Sequence, residues 1–266
     1  MEKRKKDMNK ILTITVPSYN TEKYIDECMP FLLDDSIVDD IEILVVSDGS
    51  KDKTVEVATK WSEKYPQTIR VIEKENGGHG FTINRGILEE RGKYFKVVTG
   101  DDWVKTENLV KLVDFLKDTD VDLINNPYFE HDEVTKAETL MMELKIKSHQ
   151  LNNYEEIVEA IKIPPMHTVT YKTEILKNNK IKIDEKMFYV DVEYITFPLP
   201  FVKTLVYLDC PVYVYRVNSG TQSMAIGNMV KNRAMHLAML KHEWDFIKTL
   251  PPETSSVVKK VLKQHF

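Results

Sequence analysis

The sequence predicts an α/β protein with a mainly parallel central sheet that is flanked by helices and followed by a helical C-terminal extension. Short apolar runs rich in β-branched residues recur through the first 125 residues, separated by stretches of helical character. Helices of ten or more residues between such strands imply right-handed crossovers and parallel pairing. Polar residues follow several of the runs, and parallel sheets bind ligands at the carboxyl ends of their strands.

Five runs in this part of the chain are typical of buried strands. The first, residues 11–16 (ILTITV), is expected to end at Pro17 because proline cannot donate a ladder hydrogen bond. The second, IEILVV, has the same β-branched character. The five predicted strands are residues 11–16, 41–46, 69–72, 94–98 and 121–124.

The segments between these strands have helical periodicity. One helix is predicted from Asn20 to about residue 33, and a second follows the turn at Gly49 and Ser50. A glycine-rich loop at residues 76–80 leads into a third helix that ends near Gly92. Thr106 is predicted to cap a fourth helix. Its apolar stripe consists of Leu109, Leu112, Val113 and Leu116.

The second half of the chain has a less regular pattern. Residues 126–150 are charged and mixed, and we expect an insertion with one or two edge strands. From residue 228 the chain is predicted to be helical, with an interruption at Pro251 and Pro252. Further elements expected here are helices at 154–161, 173–178 and 190–197, and strands at 167–171, 205–208 and 212–215.

Composition and charge exclude several classes of protein. The 266 residues are 42% hydrophobic and 30% charged, which is typical of a globular chain and excludes a disordered one. The formal net charge of -5 argues against nucleic acid as a partner, since duplex binding needs a basic footprint. Cys28 and Cys210 lack metal-ligand spacing and are expected to be reduced core thiols. No apolar run reaches the length of a membrane span.

A pair of carboxylates, Asp101 and Asp102, follows the fourth predicted strand. Adjacent carboxylates at a strand end repel each other and lose hydration, which is costly without a cation. A divalent ion that bridges a diphosphate would neutralise them, since Mg²⁺ and Mn²⁺ prefer oxygen ligands. The alternative is a helix cap, where aspartate is favoured electrostatically. Taken alone, the pair favours the cap.

The ends of the first three predicted strands carry further candidates. Asp48 is suited either to capping the next helix or to accepting a hydrogen bond from a base or ribose. Tyr19, near Pro17, is either a turn residue or a ring wall beside a base. The loop at residues 76–80 lacks dinucleotide-binding or P-loop spacing, although its backbone could approach a phosphate. Its histidine, His79, is expected to be a surface residue.

The order and spacing of these segments are more informative than any one of them. The series TVPSYNTEKYI, IEILVVSDGSKDKT, VIEKENGGHGFTINRGI and GKYFKVVTGDDWV resembles the N-terminal signature of family 2 glycosyltransferases of the bacterial cell-surface or exopolysaccharide type, which have the GT-A fold. The resemblance covers residues 11–104 well and continues more loosely to about residue 225. The matching positions are Pro17, Tyr19, Asn20, Asp48, Gly49, Ser50, Asn76, Gly78, Asn84, Gly86, Asp101 and Asp102.

This resemblance implies a nucleotide-diphosphate sugar as the donor, and we expect a UDP-sugar. Asp101 would hold Mn²⁺ or Mg²⁺ on the diphosphate, where the ion acts as a Lewis acid on the leaving group. Pro17, Tyr19 and Asp48 would line the nucleoside pocket, and Asp102 would lie beside the donor sugar. The residues implied to bind the donor are Pro17, Tyr19, Asp48, Asn76, Gly78, Asn84 and Asp102.

The catalytic base is expected from the second half, where residues 188–194 (FYVDVEY) are similar to the family's Glu-Asp segment. Asp191 occupies the aspartate position, and Val190 replaces the glutamate. An inverting transfer needs one carboxylate to take the proton of the acceptor hydroxyl during in-line attack on the anomeric carbon. We predict Asp191 in this role, with Glu193 as the alternative. If a helix begins at Asp191, Glu193 points to a different face and is structural.

Two positions depart from the family pattern. Thr99 replaces the first aspartate of the family's Asp-x-Asp, and Ile83 replaces the arginine that often precedes the loop asparagine. One phosphate-side cation is therefore missing unless His79 or a later basic residue substitutes. Arg216 is a candidate for contact with the diphosphate. His167 is expected to be a buried histidine with its hydrogen bonds satisfied.

These assignments divide the chain into a basic tail (1–10), a glycosyltransferase domain (11–225) and a helical extension (226–266). Within the domain, residues 11–104 would bind the donor and residues 105–225 the acceptor. The chain ends without a cap or a tail, which leads us to expect that the natural protein continues.

The predicted function is inverting transfer of a sugar to a growing surface glycan or a lipid-linked saccharide. The expected location is the cytoplasm, with peripheral contact at the inner face of the membrane. The alternative is a degenerate nucleotide-sugar-binding or scaffold subunit of a glycan-synthesis complex. Thr99 and Ile83 favour this alternative. The residues whose retention favours the enzyme are Asp48, Asp101, Asp102 and Asp191.

Overall fold

The structure is a computed structural model that describes residues 10–219 and 230–263. The basic tail predicted at residues 1–10 lies almost wholly outside the described residues. Part of the connection between the predicted domain and its C-terminal extension also lies outside them.

The strands follow the apolar runs of the sequence and extend most of them by one or two residues. In chain order they are β1 (Lys10–Ser18), β2 (Ile41–Asp48), β3 (Ile69–Lys74), β4 (Gly92–Val97), β5 (Trp103–Val104), β6 (Leu123–Asn125), β7 (Tyr128–Asp132), β8 (Glu138–Met141), β9 (Leu151–Asn153), β10 (Val169–Lys172), β11 (Thr204–Tyr207) and β12 (Tyr213–Val217).

The helices alternate with the strands in the first half and dominate the C-terminal end. In chain order they are α1 (Glu22–Cys28), α2 (Thr54–Lys64), α3 (Gly78–Glu89), α4 (Thr106–Lys117), α5 (Tyr154–Ile161), α6 (Thr173–Asn178), α7 (Val190–Thr196), α8 (Arg233–Thr249) and α9 (Ser256–Lys263). Short 3-10 turns lie at Met29–Leu32, Met166–Thr168 and Leu199–Phe201.

An eight-stranded sheet forms the centre of the molecule, in the order β3-β2-β1-β4-β10-β6-β11-β9. Its first four strands pair in parallel, as the sequence predicts. The rest of the sheet is mixed, because β10 runs antiparallel to both of its neighbours and β9 runs antiparallel to β11. The charged insertion supplies β7 and β8 to a second, four-stranded sheet of order β5-β12-β7-β8. Because β1 to β4 pair in parallel, their carboxyl ends lie at the same edge of the central sheet.

Strand β1 continues through Pro17, where the sequence analysis expected it to end. Pro17 pairs with Val46 of β2, and its carbonyl accepts a hydrogen bond from Gly100 N at 2.9 Å. The ladder with β4 stops at Thr15 and Val97, so the missing N–H of Pro17 removes no ladder bond on that side.

The cap predicted at Thr106 is also wrong. Thr106 is already helical, and its hydroxyl donates to Phe31 O at 2.9 Å. It therefore fastens α4 to the 3-10 turn after α1 rather than closing the start of its own helix.

Two hydrophobic clusters cover opposite faces of the central sheet. Tyr94 and Phe95 are neighbours in β4 but belong to different clusters, since consecutive strand residues point to opposite faces. The predicted stripe of α4 is fully buried in the first cluster. Burying a leucine of that stripe contributes about 1.5–3 kcal/mol. Cys28 and Cys210 are buried free thiols, as expected.

The predicted helical extension is present and packs into the second cluster. Ile247 of α8 and Val258, Val261 and Leu262 of α9 are buried there with residues of α5 and α7. This contact makes α8 and α9 part of the main core. Among the described helices, none is long and apolar enough to cross a membrane.

Candidate active site

Asp48 ends β2 and fixes the glycine loop (residues 76–80) that follows β3. Its Oδ1 accepts a hydrogen bond from Gly77 N at 2.8 Å. Its Oδ2 accepts from Gly78 N at 2.8 Å and from the Asn76 amide at 3.0 Å. The structure therefore brings three of the predicted donor-site residues, Asp48, Asn76 and Gly78, into one hydrogen-bonded unit.

The Asp48 carboxylate is already saturated by protein donors. An ion pair with Lys74 adds to the three bonds from the glycine loop, and Lys74 lies over the Phe81 ring at 3.8 Å. A carboxylate offers about four lone-pair positions. A base or ribose that reached Asp48 would have to share an oxygen with the glycine loop, so that contact stays a prediction.

The loop after β1 lies beside the loop after β2. Asn20 adopts a φ of +53°, its side-chain oxygen accepts from Lys51 N at 2.8 Å, and its own N–H donates to the Ser50 hydroxyl at 3.1 Å. Tyr19 is 51% exposed and follows Pro17 at the carboxyl end of β1. The predicted role of Pro17 and Tyr19 as walls of a nucleoside pocket is compatible with this placement and stays a prediction.

Asp102 is buried and ties the loop after β4 to β12. Its Oδ2 accepts from the hydroxyls of Thr99 (2.6 Å) and Tyr213 (2.5 Å), and its Oδ1 accepts from Arg216 N (2.8 Å). Burial, followed by the charge of Asp101, raises the pKa of Asp102 to about 7. Thr99 thus serves as an anchor for Asp102, and the predicted contact of Asp102 with the donor sugar stays a prediction.

The neighbouring Asp101 differs sharply from Asp102. Among the described residues, none other than Asp101 itself donates a hydrogen bond to its carboxylate, whereas its backbone oxygen accepts from Arg216 Nε at 2.8 Å. Desolvation raises the pKa of this carboxyl, and the charges of His79 and Arg216 oppose that shift. A largely desolvated carboxylate without a donor from any other described residue fits a hard divalent cation.

Arg216 lies beside the site and is held by protein groups, so its contact with the diphosphate stays a prediction. Its guanidinium lies between the rings of Tyr24 (4.8 Å) and Trp103 (4.7 Å) and pairs with Glu133 (3.0 Å) and Glu27 (3.4 Å). Two carboxylates and two aromatic faces hold the side chain, which is 4% exposed.

His79 lies in the first turn of α3, where three predicted site residues converge. Burial lowers the pKa of His79, and the carboxylates of Asp191, Asp101 and Asp48 oppose that shift. These carboxylates, distant in sequence, therefore act on one imidazole. His79 is partly buried and is not the exposed residue that the sequence analysis expected. The sequence does contain a signal for this position. His79 lies between Gly78 and Gly80 in the loop after β3, and the neighbouring strand β2 ends in Asp48.

Asp191 and Glu193 lie on different faces of α7. Asp191 is exposed in the first turn, whereas Glu193 is fully buried, as the two-residue separation of about 200° requires. Both oxygens of Glu193 are engaged, Oε2 with Asp184 N at 2.7 Å and Oε1 with His242 Nδ1 at 2.9 Å. This burial and bonding leave Asp191 as the carboxylate of α7 that faces the site.

The base segment (residues 183–197) is fastened to α3 through Asn84. The Asn84 side chain donates to Ile183 O at 2.8 Å and accepts from Ile183 N at 2.9 Å. Both ends of this amide are therefore committed to the backbone of one residue. The predicted contact of Asn84 with the donor stays a prediction, and its observed contact positions the base segment.

The same segment packs closely on the glycine loop. Lys186 N donates to Gly77 O at 2.7 Å. A Cβ added at Gly80 would lie 2.0 Å from Asp184 O, a distance that no side chain tolerates. Glycine is therefore required at Gly80 for backbone contact between the donor loops and the segment that carries Asp191.

An aromatic cluster borders the carboxylates on the side of β12. The His167 ring stacks on Tyr215 at 4.4 Å and contacts Tyr213 and Tyr128 at 4.6 and 4.9 Å. Burial and the charge of Lys96 lower the pKa of His167 to about 3. His167 is only partly buried, and its Nδ1 is buried without a hydrogen-bond partner among the described residues, so the prediction of a histidine with satisfied hydrogen bonds is wrong. Burial, Asp102, Asp101 and Asp191 raise the pKa of Tyr215 to about 12.

The parallel half-sheet, with the glycine loop fixed by Asp48 and the pair Asp101 and Asp102 at its carboxyl edge, agrees with the GT-A fold that the sequence resemblance implies. The profile of Glycosyl transferase family 2 matches residues 13–176, and the chain belongs to this family. The predicted family and fold are thereby confirmed.

Comparison with a relative and with solved structures agrees with this assignment. The chain is 26% identical over 216 residues to the uncharacterized glycosyltransferase EpsJ of Bacillus subtilis (strain 168), covering 78% of this chain and 61% of EpsJ. It therefore spans about three fifths of the length of that relative.

Two solved structures share the fold. S. aureus TarS 1-349 in complex with UDP-GlcNAc superposes with a TM-score of 0.69 and 20% identity, covering 96% of this chain and 72% of that one. The mannosyltransferase PcManGT from Pyrobaculum calidifontis, in complex with GDP-Man and Mn2+, superposes with a TM-score of 0.63 and 15% identity, covering 96% and 68%. At these identities the likeness establishes the fold.

Proposed function

We propose that the chain transfers a sugar, with inversion, from a UDP-sugar to a hydroxyl group of a surface glycan or a lipid-linked saccharide. The observation that carries the proposal is that Asp48 and the segment that carries Asp191 both hydrogen-bond to the glycine loop, at Gly77 N and Gly77 O. The charge of Asp101 acts on His79 of the same loop. The three aspartates come from three separate loops or helix starts, and each was predicted from the sequence for a different step of such a transfer.

The donor would lie along the carboxyl ends of β1 to β4. Tyr19 is exposed there and would form a ring wall, Pro17 lies two residues before it in β1, and the glycine loop presents backbone next to Asp48. The solved complex of TarS with UDP-GlcNAc supports a UDP-sugar on this fold. Within this proposal, Asn76 and Gly78 shape the loop, and Asp102 and Asn84 hold its surroundings in place.

The residues present fit a divalent cation at Asp101. This carboxylate is largely desolvated, has no donor from another described residue and supplies hard oxygen atoms, which Mn²⁺ and Mg²⁺ prefer. The bound ion would act as a Lewis acid on the leaving diphosphate. The Mn2+ of the PcManGT complex supports this part of the proposal.

Asp191 would act as the general base. Its exposed carboxylate takes the proton of the acceptor hydroxyl while the hydroxyl oxygen attacks the anomeric carbon and the diphosphate leaves. Glu193, the alternative base, is unsuited because it is fully buried and both of its oxygens are bonded within the protein.

Thr99 does not by itself favour a degenerate scaffold. Its hydroxyl donates to Asp102 and its backbone N–H donates to the Tyr213 hydroxyl at 3.2 Å, so Thr99 is held in the loop despite the departure from the family pattern. Lipid-linked acceptors would bring the protein to the inner face of the membrane, and this location is part of the proposal.

A panel of nucleotide sugars tested by thermal shift, with and without Mn²⁺, examines the donor and the metal together. We expect stabilisation by UDP and by a UDP-sugar that grows with Mn²⁺, followed by donor hydrolysis or transfer in the same buffer. Stabilisation by UDP and Mn²⁺ without turnover of any donor, across varied acceptors, would instead support the binding subunit.

A further inference from the structure

His242, on the C-terminal helix α8, joins two carboxylates of the base segment. Its Nδ1 lies 2.9 Å from Glu193 Oε1 and 2.9 Å from Asp184 Oδ2. The single Nδ1–H donates to Glu193 in a charge-assisted hydrogen bond, and Asp184 makes an ion-pair contact with the same nitrogen. Glu193 Oε2 in turn accepts from Asp184 N at 2.7 Å, so the three residues form a closed triangle.

This triangle lies behind Asp191 as seen from the site. Glu193 is buried on the face of α7 away from Asp191. Asp184 lies in the part of the base segment that packs on Gly80. A displacement of either carboxylate would therefore shift the start of α7 relative to the glycine loop. The position of Glu193 consequently sets the position of the helix that carries Asp191.

Helix α8 supports the base segment at two further points. Tyr189 precedes α7 with a φ of +67°, a left-handed conformation that costs a bulky residue about 1–3 kcal/mol, and its ring contacts His236 at 4.7 Å. Phe197, just after α7, packs on Phe246 at 4.3 Å. The strained entry and the end of α7 are thus both covered by one helix.

We infer that His242 is a positioning residue for the reaction: through Glu193 and Asp184 it holds the Asp191 carboxylate in register with the donor loops. The inference rests on the proposed role of Asp191 as the base. It also makes α8, which lies beyond the part of the chain that matches the family profile, a working part of the site.

The triangle confers a defined dependence on pH. Among the described residues, the charged groups that face His242 are Glu193 of α7 and Asp184, which precedes α7, and the Phe197 ring contacts the His242 ring at 5.3 Å. Burial acts to lower the pKa of His242, but the two carboxylates outweigh it, and the pKa lies above 6.5. Burial raises the pKa of Glu193 above its ordinary value. The ion pair therefore forms once Glu193 ionises and is lost as pH rises through the raised pKa of His242.

The test compares His242→Gln, which removes the charge, with Lys241→Gln, an exposed neighbour on the same helix. We expect His242→Gln to lower kcat for transfer by about 10- to 100-fold, since a displacement near 1 Å costs this much. The KM for the donor and the affinity for UDP should change by less than about twofold, because the donor loops are untouched. Lys241→Gln should match the parent protein.

A pH profile separates positioning from a merely structural role. The parent kcat should fall as one group deprotonates above pH 6.5, at the pKa that NMR of labelled histidine assigns to His242. His242→Lys retains its charge to about pH 10. It should restore part of kcat and move that limb to higher pH.

Four outcomes would overturn the inference. One is a kcat for folded His242→Gln equal to that of the parent, and another is a loss that falls equally on UDP affinity. If His242→Gln does not fold, a parent kcat that stays flat through the measured pKa of His242 overturns it instead. Zn²⁺ binding that His242→Gln abolishes would replace the ion pair with a metal site. Failure of the proposed function is distinct, since the parent protein would then transfer no sugar, and failure of the proposed base alone would leave transfer by Asp191→Asn intact.

Discussion

The donor loops and the base segment hold their aspartates by opposite means. Asp48 is fixed by a loop 30 residues or fewer away in the sequence, through hydrogen bonds to the carboxylate itself. Asp191 is exposed, and its helix is held from behind, by His242 49 residues after Glu193 and by Asn84 99 residues before Ile183. One region fixes its carboxylate directly, and the other fixes the backbone that carries it.

This difference suits the two tasks. A carboxylate that shapes a donor loop needs no freedom, because the loop must be formed before the donor arrives. A base must keep its oxygens free for the acceptor proton, so its position has to be set by backbone contacts rather than by bonds to the carboxylate. Asp101 resembles Asp191 in this respect, since its oxygens lack donors from other described residues and are open to a cation.

The largest effect is expected from Asp191→Asn. The change removes the proton acceptor with little change in shape, and kcat for transfer should fall by about 10³-fold, within the range for a lost general base. UDP affinity, measured by calorimetry with Mn²⁺, should stay close to that of the parent, since the base acts on the acceptor.

The matched control is Glu185→Gln, a carboxylate-to-amide change at an exposed position of the same base segment. It should retain full transfer. A drop in UDP affinity of the same size as the drop in kcat would show that Asp191 belongs to the donor loops in function, and the contrast between the two regions would be lost.

Asp101→Asn should have the next largest effect, on the donor side. An amide lacks the charge that a divalent ion requires, so the Mn²⁺-dependent part of UDP binding should fall by about 100-fold. Calorimetry with and without Mn²⁺ measures this part, and Asp35→Asn, at an exposed loop position, is the control. If the parent protein bound UDP equally well with EDTA, the assignment of Asp101 to a metal would be wrong.

Gly80→Ala tests the contact between the two regions. The added methyl would lie 2.0 Å from Asp184 O, so the glycine loop and the base segment must separate. We expect a destabilisation of about 1–3 kcal/mol in urea unfolding, as for other overpacked sites. The transfer rate should fall more than UDP affinity. Leu88→Ala, at a 66% exposed position of the same helix, should alter neither.

The sequence predicts the donor half well because its determinants are local. A β-branched run followed by a polar turn is sufficient to place β1 to β4, and the aspartates at the ends of β2 and β4 have their meaning in linear motifs. The prediction that β1 ends at Pro17 was wrong for a local reason. The missing N–H of proline matters only where a neighbouring strand offers a carbonyl to accept that hydrogen bond, and the β4 ladder has already ended there.

The base segment is less predictable because its contacts are distant in sequence. Asp191 was located through family resemblance, whereas the partners that hold its helix, Asn84 and His242, have no local signature for that task. Arg216 was named as a candidate for the diphosphate because its segment resembles a late strand of the family. Glu27 and Glu133, which pair with it, lie far away in the chain. The burial of His79 was not predicted, because the three carboxylates that act on its imidazole come from three separate segments of the chain.

The smallest effect is expected at Thr99, where the chain departs from the family. Thr99→Val removes one hydroxyl from Asp102 and leaves the bonds from Tyr213 and from Arg216 N. The loss of one such bond costs about 1 kcal/mol, or about 2–4 °C in Tm for a chain of this size. Thr99→Ser keeps the hydroxyl and should unfold close to the parent temperature. A complete loss of donor binding by Thr99→Val with little change in Tm would show that Thr99 contacts the donor directly. The donor loops would then also contain a side chain that is kept free for the ligand, as the base segment does.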